Sequence, residues 1–361
     1  MKYTMLDYLK VAEPHLPPEL VSPEAFADIA PIARALPPCS GSGFECRLGE
    51  PDARADFLVR VQTHDGTRGA FAGRNPDVRP PAELLENPVW RRVFDFCARW
   101  ATPEDALHAD VEDFWLEFDV IGRLPTAPTP AIFFGPRQEQ PEPLGLVALA
   151  TGVMRGEPGP ATVRGSVRRC YEALPPGGSV YQVGMMLSRP IDALRLCVRG
   201  IPTSGLTRYL QEIGWDGPVG ELDALLSSLA PHTDRICLAL DVGERVYPKL
   251  GLECYVDALT LGGFKERWKP LLEHLVGRGL CRPEKRDALL SWMGLSDHRT
   301  ERERWPPNLV RGAEAQGPGA VSLFMRYLNH VKLVFQPGAP LEAKAYPGLK
   351  HLWGRAQASA S

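Results

Sequence analysis

The stretch DFWLEFDVIG, residues 113–122, carries a large apolar side chain at every second position from Phe114 to Val120, with acidic residues at most of the positions between them. This period of two is typical of a β-strand with one buried face and one polar face. The apolar face would carry Phe114, Leu116, Phe118 and Val120. The polar face would carry Trp115, Glu117 and Asp119.

The same alternation recurs along the chain in pairs of short segments, each pair following a helical stretch. The five strand pairs begin near Phe44, Phe114, Tyr181, Ile236 and Val331. A supersecondary unit that repeats in this way indicates the architecture more directly than any individual residue does. On the polar faces of the later pairs we expect Gln182, Met186, Arg195, Cys197, Arg199, Cys237, Asp241, Glu253, Tyr255, His330, Lys332, Lys344 and Tyr346.

Ten antiparallel strands can be arranged in two ways. In an open sheet the polar faces would be wetted by solvent and the helices would cover the other side. A sheet of this size tends to curl, and closure removes its edges. We therefore predict an α+β fold over residues 1–361 as one domain. Its five αββα-type repeats, over about residues 40–350, would form a ten-stranded antiparallel barrel with helices outside and a polar lumen.

The helical segments can be placed from apolar spacing and turn residues. Helices are predicted over residues 83–107, 161–174 and 264–280, over 283–294, and over 203–229 with a break at 215–219. Residues 297–318 read as a polar loop, and SLFMRYLNH, residues 322–330, as the end of a helix.

Composition limits the classes of function. The 361 residues carry a net charge of −3 with no Lys/Arg-rich run, so a nucleic-acid partner is not expected. We see no apolar stretch of about 18 residues and no signal-peptide core at the N-terminus, which predicts a cytoplasmic protein without a membrane partner. The eight cysteines form no CxxC pair, and we expect buried, reduced thiols.

The repeated pattern resembles the ABBA prenyltransferase fold, in its bacterial indole- or peptide-prenylating form. In that family an acidic residue on an early strand binds the aromatic acceptor, and basic residues and tyrosines, often as K-x-Y, hold an allylic diphosphate. Glu117 in WLEFD matches the acid, and Lys344-Ala345-Tyr346 matches K-x-Y. The resemblance implies transfer of a dimethylallyl or geranyl group to an aromatic molecule or peptide side chain, with no cofactor required and Mg²⁺ possible.

The resemblance also implies roles for individual residues. Glu117 would be the catalytic acid or base that orients the acceptor. The diphosphate would be held by Arg195, Arg199, Lys332 and Lys344, since preorganised cations stabilise a departing pyrophosphate. The other substrate-binding positions would be Trp115, Asp119, Gln182, Met186, Glu253, Tyr255 and Tyr346, with the tyrosines shielding the allylic cation.

Charge balance keeps other functions open. The expected lumen holds six acids and six bases, the acids being Glu45, Glu117, Asp119, Asp241, Glu253 and Glu342, and the bases Arg47, Arg60, Arg195, Arg199, Lys332 and Lys344. Acids and bases paired across strands would favour a non-catalytic binder of a ligand or peptide, or another enzyme on the same barrel. Two further alternatives remain. One is a carboxylate-rich metal site formed by Glu117, Asp119, Asp241, Glu253 and His330, and the other is nucleophilic catalysis by Cys197 or Cys237 with His330 as its base.

Overall fold

The computed structural model describes residues 2–137, 142–189, 192–257 and 263–355. Its main feature is one continuous antiparallel sheet that closes on itself. The strands are β1 Gly41–Arg47, β2 Ala55–Val61, β3 Val111–Phe118, β4 Ala131–Pro136, β5 Ser179–Met185, β6 Leu194–Arg199, β7 Arg235–Val242, β8 Val246–Tyr255, β9 Gly294–Asp297, β10 Ala320–Phe335 and β11 Glu342–Arg355.

Ten of these strands form the barrel. Each strand from β1 to β7 pairs with the next in the chain, β8 pairs with β10, β10 pairs with β11, and β11 pairs back with β1. The short strand β9 lies outside this ring, against the N-terminal half of β10. The predicted closed ten-stranded barrel is therefore confirmed, and the open-sheet alternative is wrong.

Helices precede each hairpin and cover the outside of the barrel. In the described residues they are α1 Met5–Ala12, α2 Pro23–Ala35, α3 Thr67–Phe71, α4 Ala82–Glu86, α5 Pro88–Trp100, α6 Ala106–Asp110, α7 Pro143–Arg155, α8 Ala161–Glu172, α9 Leu206–Glu212, α10 Val219–Leu229, α11 Phe264–Gly277, α12 Pro283–Trp292 and α13 Pro307–Ala315. The break predicted at residues 215–219 separates α9 from α10. Helix α7 was not predicted, and α13 lies within the expected loop.

The hydrophobic core lies between the barrel and its helices. The apolar strand faces point outward, and Phe114, Leu116 and Phe118 are fully buried there with Trp90 and Phe96 of α5. The rings of Phe96 and Phe114 stack at 5.0 Å between centroids. Burial of large rings in this layer is the dominant favourable contribution to folding.

The predicted helix end at residues 322–330 is wrong, because this segment is the first part of β10. It is paired on both sides, with Leu323 opposite Asp297 of β9 and Leu352 of β11. A short apolar run does not distinguish a buried strand from a helix, and the partner strands that decide the outcome are distant in sequence.

All eight cysteines are free and buried, as the sequence predicts. Among the described helices, none is long and apolar enough to cross a membrane.

Candidate active site in the barrel lumen

Two cavities occupy the lumen, one toward each end of the barrel. The larger, here called the upper cavity, measures about 290 Å³ and opens beside Arg60 and Arg199. The smaller, here called the lower cavity, measures about 40 Å³ and opens beside Lys249. Four side chains line both cavities and separate them; this belt consists of Glu117, Arg195, Lys332 and Tyr346.

The lumen brings together most of the predicted site residues. The upper cavity is lined by Trp115, Glu117, Gln182, Arg195, Arg199, Glu253, Tyr255, Lys332 and Tyr346. Lys344 lies on the other side of the belt and lines the lower cavity. The four predicted diphosphate residues are thus distributed over both ends of the lumen rather than gathered at one level.

Five residues that were expected to face the lumen line neither cavity, namely Arg47, Asp119, Met186, Cys237 and Glu342. Asp119 accepts hydrogen bonds from Ser188 at 2.9 Å and from Arg189 at 2.5 Å. Met186 packs in a small apolar cluster with Phe133 and Cys197. Glu342 is exposed at the start of β11. Asp119 and Met186 therefore contribute to the walls and not to the cavity surface.

Tyr181 lines the upper cavity although the alternation placed it on the outer face. The cause is a register shift between β5 and β6, where Val180 faces Val198 and Gln182 faces Cys197. The extra residue of such a bulge turns adjacent side chains to the same side. Phe133 of β4 also lines the cavity, and its ring lies where the side chain of Gly184 would otherwise stand. The site is therefore richer in aromatic rings than the sequence indicated.

Ion pairs across neighbouring strands satisfy most lumen charges. Arg195 donates to both carboxylate oxygens of Asp241, at 2.8 and 3.0 Å. Lys332 Nζ lies 3.2 Å from Glu253 Oε1. Buried charges that are paired and hydrogen-bonded in this way fix the geometry of the lumen.

At the lower cavity, Glu45 bonds two members of the K-x-Y motif. Lys344 Nζ lies 2.6 Å from Glu45 Oε1, and the Tyr346 hydroxyl donates to Oε2. Burial opposes ionisation of Glu45, but Lys344 and the hydrogen bonds lower its pKa to about 2. Glu45 is therefore a carboxylate at all physiological pH values. The sequence match of Lys344 and Tyr346 to K-x-Y did not reveal this partner on β1.

Glu117 is the exception among the lumen acids. It is buried in the belt, and its carboxyl group makes no hydrogen bond or ion pair with any residue in the described ranges. Burial and the negative charge of Glu45 raise its pKa to about 7, although Lys332 and Arg195 act in the opposite direction. A carboxyl group with a pKa near neutrality, facing a cavity, has the properties of a general acid or base.

Three polar groups form a network on one wall of the upper cavity. The Tyr181 hydroxyl donates to Glu253 Oε2 at 2.5 Å and lies 3.2 Å from the Tyr255 hydroxyl. Burial opposes ionisation of Glu253, but Lys332, His330 and these hydrogen bonds lower its pKa to about 2. The two tyrosines are thereby held with their ring surfaces along the cavity.

The lower cavity has more cationic than acidic side chains. Its described lining includes five cations and three acids, which are Arg189, Arg195, Lys249, Lys332 and Lys344 against Glu45, Glu117 and Asp241. Lys249 remains exposed to solvent, but partial burial, followed by the positive charges of Lys344 and Arg195, lowers its pKa. Cations that repel one another at a cavity mouth favour an anionic ligand.

The metal alternative is not supported. No group of three or more metal-binding side chains is present among the described residues. Two of the proposed ligands, Asp119 and Asp241, are instead engaged by Arg189 and Arg195. The cysteine alternative is not supported either, because burial raises the pKa of Cys197 and lowers that of His330 to about 4, so that the imidazole is a weak base for a thiol that is difficult to ionise.

In comparisons with known proteins, no protein-family model matches the chain, and no curated protein matches it significantly.

Proposed function

We propose that the barrel transfers a prenyl group from an allylic diphosphate to an aromatic acceptor, with Glu117 as the general base. The observation that carries the proposal is the position of the Glu117 carboxyl group, which is buried in the belt, has no hydrogen-bond or ion-pair partner among the described residues, and lines both cavities. A group that both cavities share is in a position to act on a reaction between two bound substrates.

The lower cavity suits the diphosphate. Its excess of cations, including Lys249 and Lys344, would stabilise the pyrophosphate that leaves when the allylic C–O bond breaks. Tyr346 in the belt would face the allylic cation and exclude water from it.

The upper cavity suits the aromatic acceptor. Trp115, Phe133, Tyr181 and Tyr255 give it flat apolar walls. The acceptor ring would attack the allylic carbon, and the proton lost from the acceptor as the new bond forms would pass to the Glu117 carboxylate. Since the pKa of Glu117 is about 7, transfer should accelerate as the pH rises through neutrality.

A second candidate function is non-catalytic binding of an aromatic or peptide ligand. The cross-strand pairing of Arg195 with Asp241, Lys332 with Glu253 and Lys344 with Glu45 favours it, because a diphosphate would have to compete with these carboxylates. Calorimetry distinguishes the two functions.

The test titrates the protein with pyrophosphate and with a non-hydrolysable dimethylallyl diphosphate analogue, each with and without Mg²⁺. Saturable micromolar binding, weakened about tenfold in Lys249→Ala and unchanged in the exposed control Lys10→Ala, supports a diphosphate site. Lys249 is preferred to Lys344 for this test because its removal leaves no buried carboxylate unpaired. Failure of every diphosphate to bind refutes prenyl transfer and favours the binder.

If diphosphate binds, turnover of an aromatic acceptor panel is measured for wild type and Glu117→Gln. We expect Glu117→Gln to lower kcat by at least about 100-fold, which is the usual size of a general-base effect, without weakening diphosphate binding, because the variant removes a negative charge from the lining of the lower cavity. If Glu117→Gln retains the kcat of wild type, Glu117 is not the general base.

A further inference from the structure

His330, at the bulge of β10, is a buried polar group that the proposed mechanism does not use. Its ring lines the upper cavity and is 7% exposed, and its Nε2 atom has no hydrogen-bond partner in the described part of the chain. An unpaired buried donor or acceptor costs about 1–3 kcal/mol, so each one requires an explanation.

The neighbouring hydroxyl groups do not satisfy this nitrogen. The Tyr346 ring stacks on His330 at 4.0 Å, but its hydroxyl donates to Glu45. The Tyr255 ring lies 5.1 Å away, and its hydroxyl bonds Tyr181 and Glu253. The two rings hold the imidazole in place without pairing with its polar edge.

The other ring nitrogen identifies the tautomer. Asn329 Nδ2 lies 3.2 Å from His330 Nδ1. An amide nitrogen can only donate, so Nδ1 accepts, and a neutral imidazole then carries its proton on Nε2. Burial lowers the pKa of His330 to about 4, which keeps the ring neutral at physiological pH. The unpaired atom is therefore an N–H donor.

We propose that His330 selects an aromatic ligand that carries a carbonyl group, by donating a hydrogen bond from Nε2 to the carbonyl oxygen. A carbonyl oxygen fits this N–H better than a hydroxyl group does, because a carbonyl only accepts a hydrogen bond. A ligand hydroxyl would also need an acceptor for its own proton, and the neighbouring tyrosine hydroxyls are already hydrogen-bonded to other groups. This inference rests on the proposed function in taking the upper cavity as the acceptor site. It narrows the acceptor to a carbonyl-bearing aromatic whose N–H, O–H or C–H faces Glu117.

The test compares two aromatic probes of nearly the same shape, 2-acetylnaphthalene and 2-isopropenylnaphthalene. They differ in one group, because the second probe has C=CH₂ where the first has C=O. Their affinities are measured by fluorescence titration without any diphosphate. We expect wild type to prefer the acetyl probe by about tenfold, which corresponds to about 1.4 kcal/mol. Equal affinities, or no binding of either probe, overturn the proposal.

Three variants assign the preference to one atom. His330→Phe keeps an aromatic ring stacked against Tyr346 but has no hydrogen-bond donor. The preference for the acetyl probe should therefore disappear, and the two probes should bind with equal affinity. His330→Gln retains an N–H and should keep part of it, and the exposed control His64→Phe should keep all of it. A His330→Phe protein that remains folded by near-ultraviolet circular dichroism and retains the tenfold preference overturns the proposal.

The tautomer provides an independent readout. In ¹⁵N-labelled protein near pH 7, the His330 ring should show its proton on Nε2, assigned by loss of the signal in His330→Gln. A proton on Nδ1 contradicts the inference even if the affinities agree. Because no experiment here uses a diphosphate or turnover, carbonyl selection can fail while Glu117-dependent transfer stands, and the reverse also holds.

Discussion

Burial raises the pKa of Glu117 on β3, and the negative charge of Glu45, two strands away on β1, raises it further. Glu45 itself stays ionised because Lys344 and Tyr346 bond both of its oxygens. Glu45 is thus fixed as an anion, whereas the pKa of Glu117 is raised to about 7. Two acids whose surroundings separate their pKa values in this way can serve different roles in one site.

Replacing Glu117 by Gln should change how stability depends on pH. The pKa of Glu117 is about 7 in the folded protein, above the ordinary value of 4.5. Protonated Glu117 therefore contributes stability fully below about pH 4.5, and this contribution is lost as pH rises through 7, by up to about 3 kcal/mol. Glu117→Gln cannot ionise at this position, so it has no such loss. Its free energy of unfolding relative to that of wild type should therefore be higher at pH 8 than at pH 5.

Urea unfolding at pH 5 and pH 8 measures this difference. The exposed variant Glu157→Gln serves as the control and should follow wild type at both values. A Glu117→Gln protein that follows the wild-type pH profile would show that Glu117 ionises without penalty in the folded state.

Removal of Lys344 should destabilise the protein as well as affect binding. Lys344→Ala leaves Glu45, which is buried, with the Tyr346 hydroxyl as its one remaining side-chain hydrogen bond in the described structure. Breaking a buried pair on one side costs about 3–5 kcal/mol. The double variant Lys344→Ala/Glu45→Gln should recover most of this loss, because no charge is left unpaired.

Chemical denaturation of the single and double variants checks this coupling. If the double variant is no more stable than Lys344→Ala, the unpaired charge of Glu45 is not the cause of the loss. Since any diphosphate contact of Lys344 is superimposed on this effect, loss of turnover in Lys344→Ala alone does not identify a binding role.

The barrel itself could be predicted from the sequence because its signals are local. The alternation around Phe114 and the turn between β10 and β11 are each readable within about twenty residues. Closure of the barrel then follows from the number of strands, because an open sheet of this size would leave two edge strands with unpaired backbone groups. The first part of β10 was predicted incorrectly because its two partners, β9 and β11, are separated from it in sequence.

The site could be predicted only in part, for reasons of geometry. Strand parity placed Glu117 and Tyr255 correctly, because each lies in a regular part of its strand. Tyr181 was missed because a bulge reverses the parity, and alternation carries no signal for a bulge. The ion pair of Arg195 with Asp241 depends on which strands are neighbours, so the residues could be predicted to face inward but not to pair.

Lys285 of α12 should be essential for the first hairpin. It is 1% exposed, and its ammonium group donates to the backbone carbonyls of Arg47 and Asp52, at 2.6 Å each. Lys285→Met keeps the length of the side chain but leaves two carbonyl groups without this donor. We expect a loss of about 2–4 kcal/mol in the free energy of unfolding, measured by urea denaturation.

The exposed variant Lys265→Met, on the neighbouring helix α11, is the control and should change stability by less than about 0.5 kcal/mol. Equal stabilities of the two variants would show that water replaces the ammonium group at no cost.

Gly184 on β5 should control the size of the upper cavity. A Cβ atom at this position would lie 2.4 Å from Cε1 of Phe133, so the Phe133 ring must move in Gly184→Ala. Because that ring lines the upper cavity, its movement changes the space for an aromatic ligand. We expect affinity for 2-acetylnaphthalene to fall by about tenfold and stability to fall by about 1–3 kcal/mol from overpacking.

Gly165→Ala provides the matched control for this substitution. Gly165 lies in helix α8 with open space around its Cα, so alanine there should raise stability by about 0.5–1 kcal/mol and leave ligand affinity unchanged. If Gly184→Ala binds the ligand as tightly as wild type, the Phe133 ring moves away from the ligand without cost. The Phe133 ring on β4 would then not define the site, and the ligand would be held by Trp115 on β3, Tyr181 on β5 and Tyr255 on β8 instead.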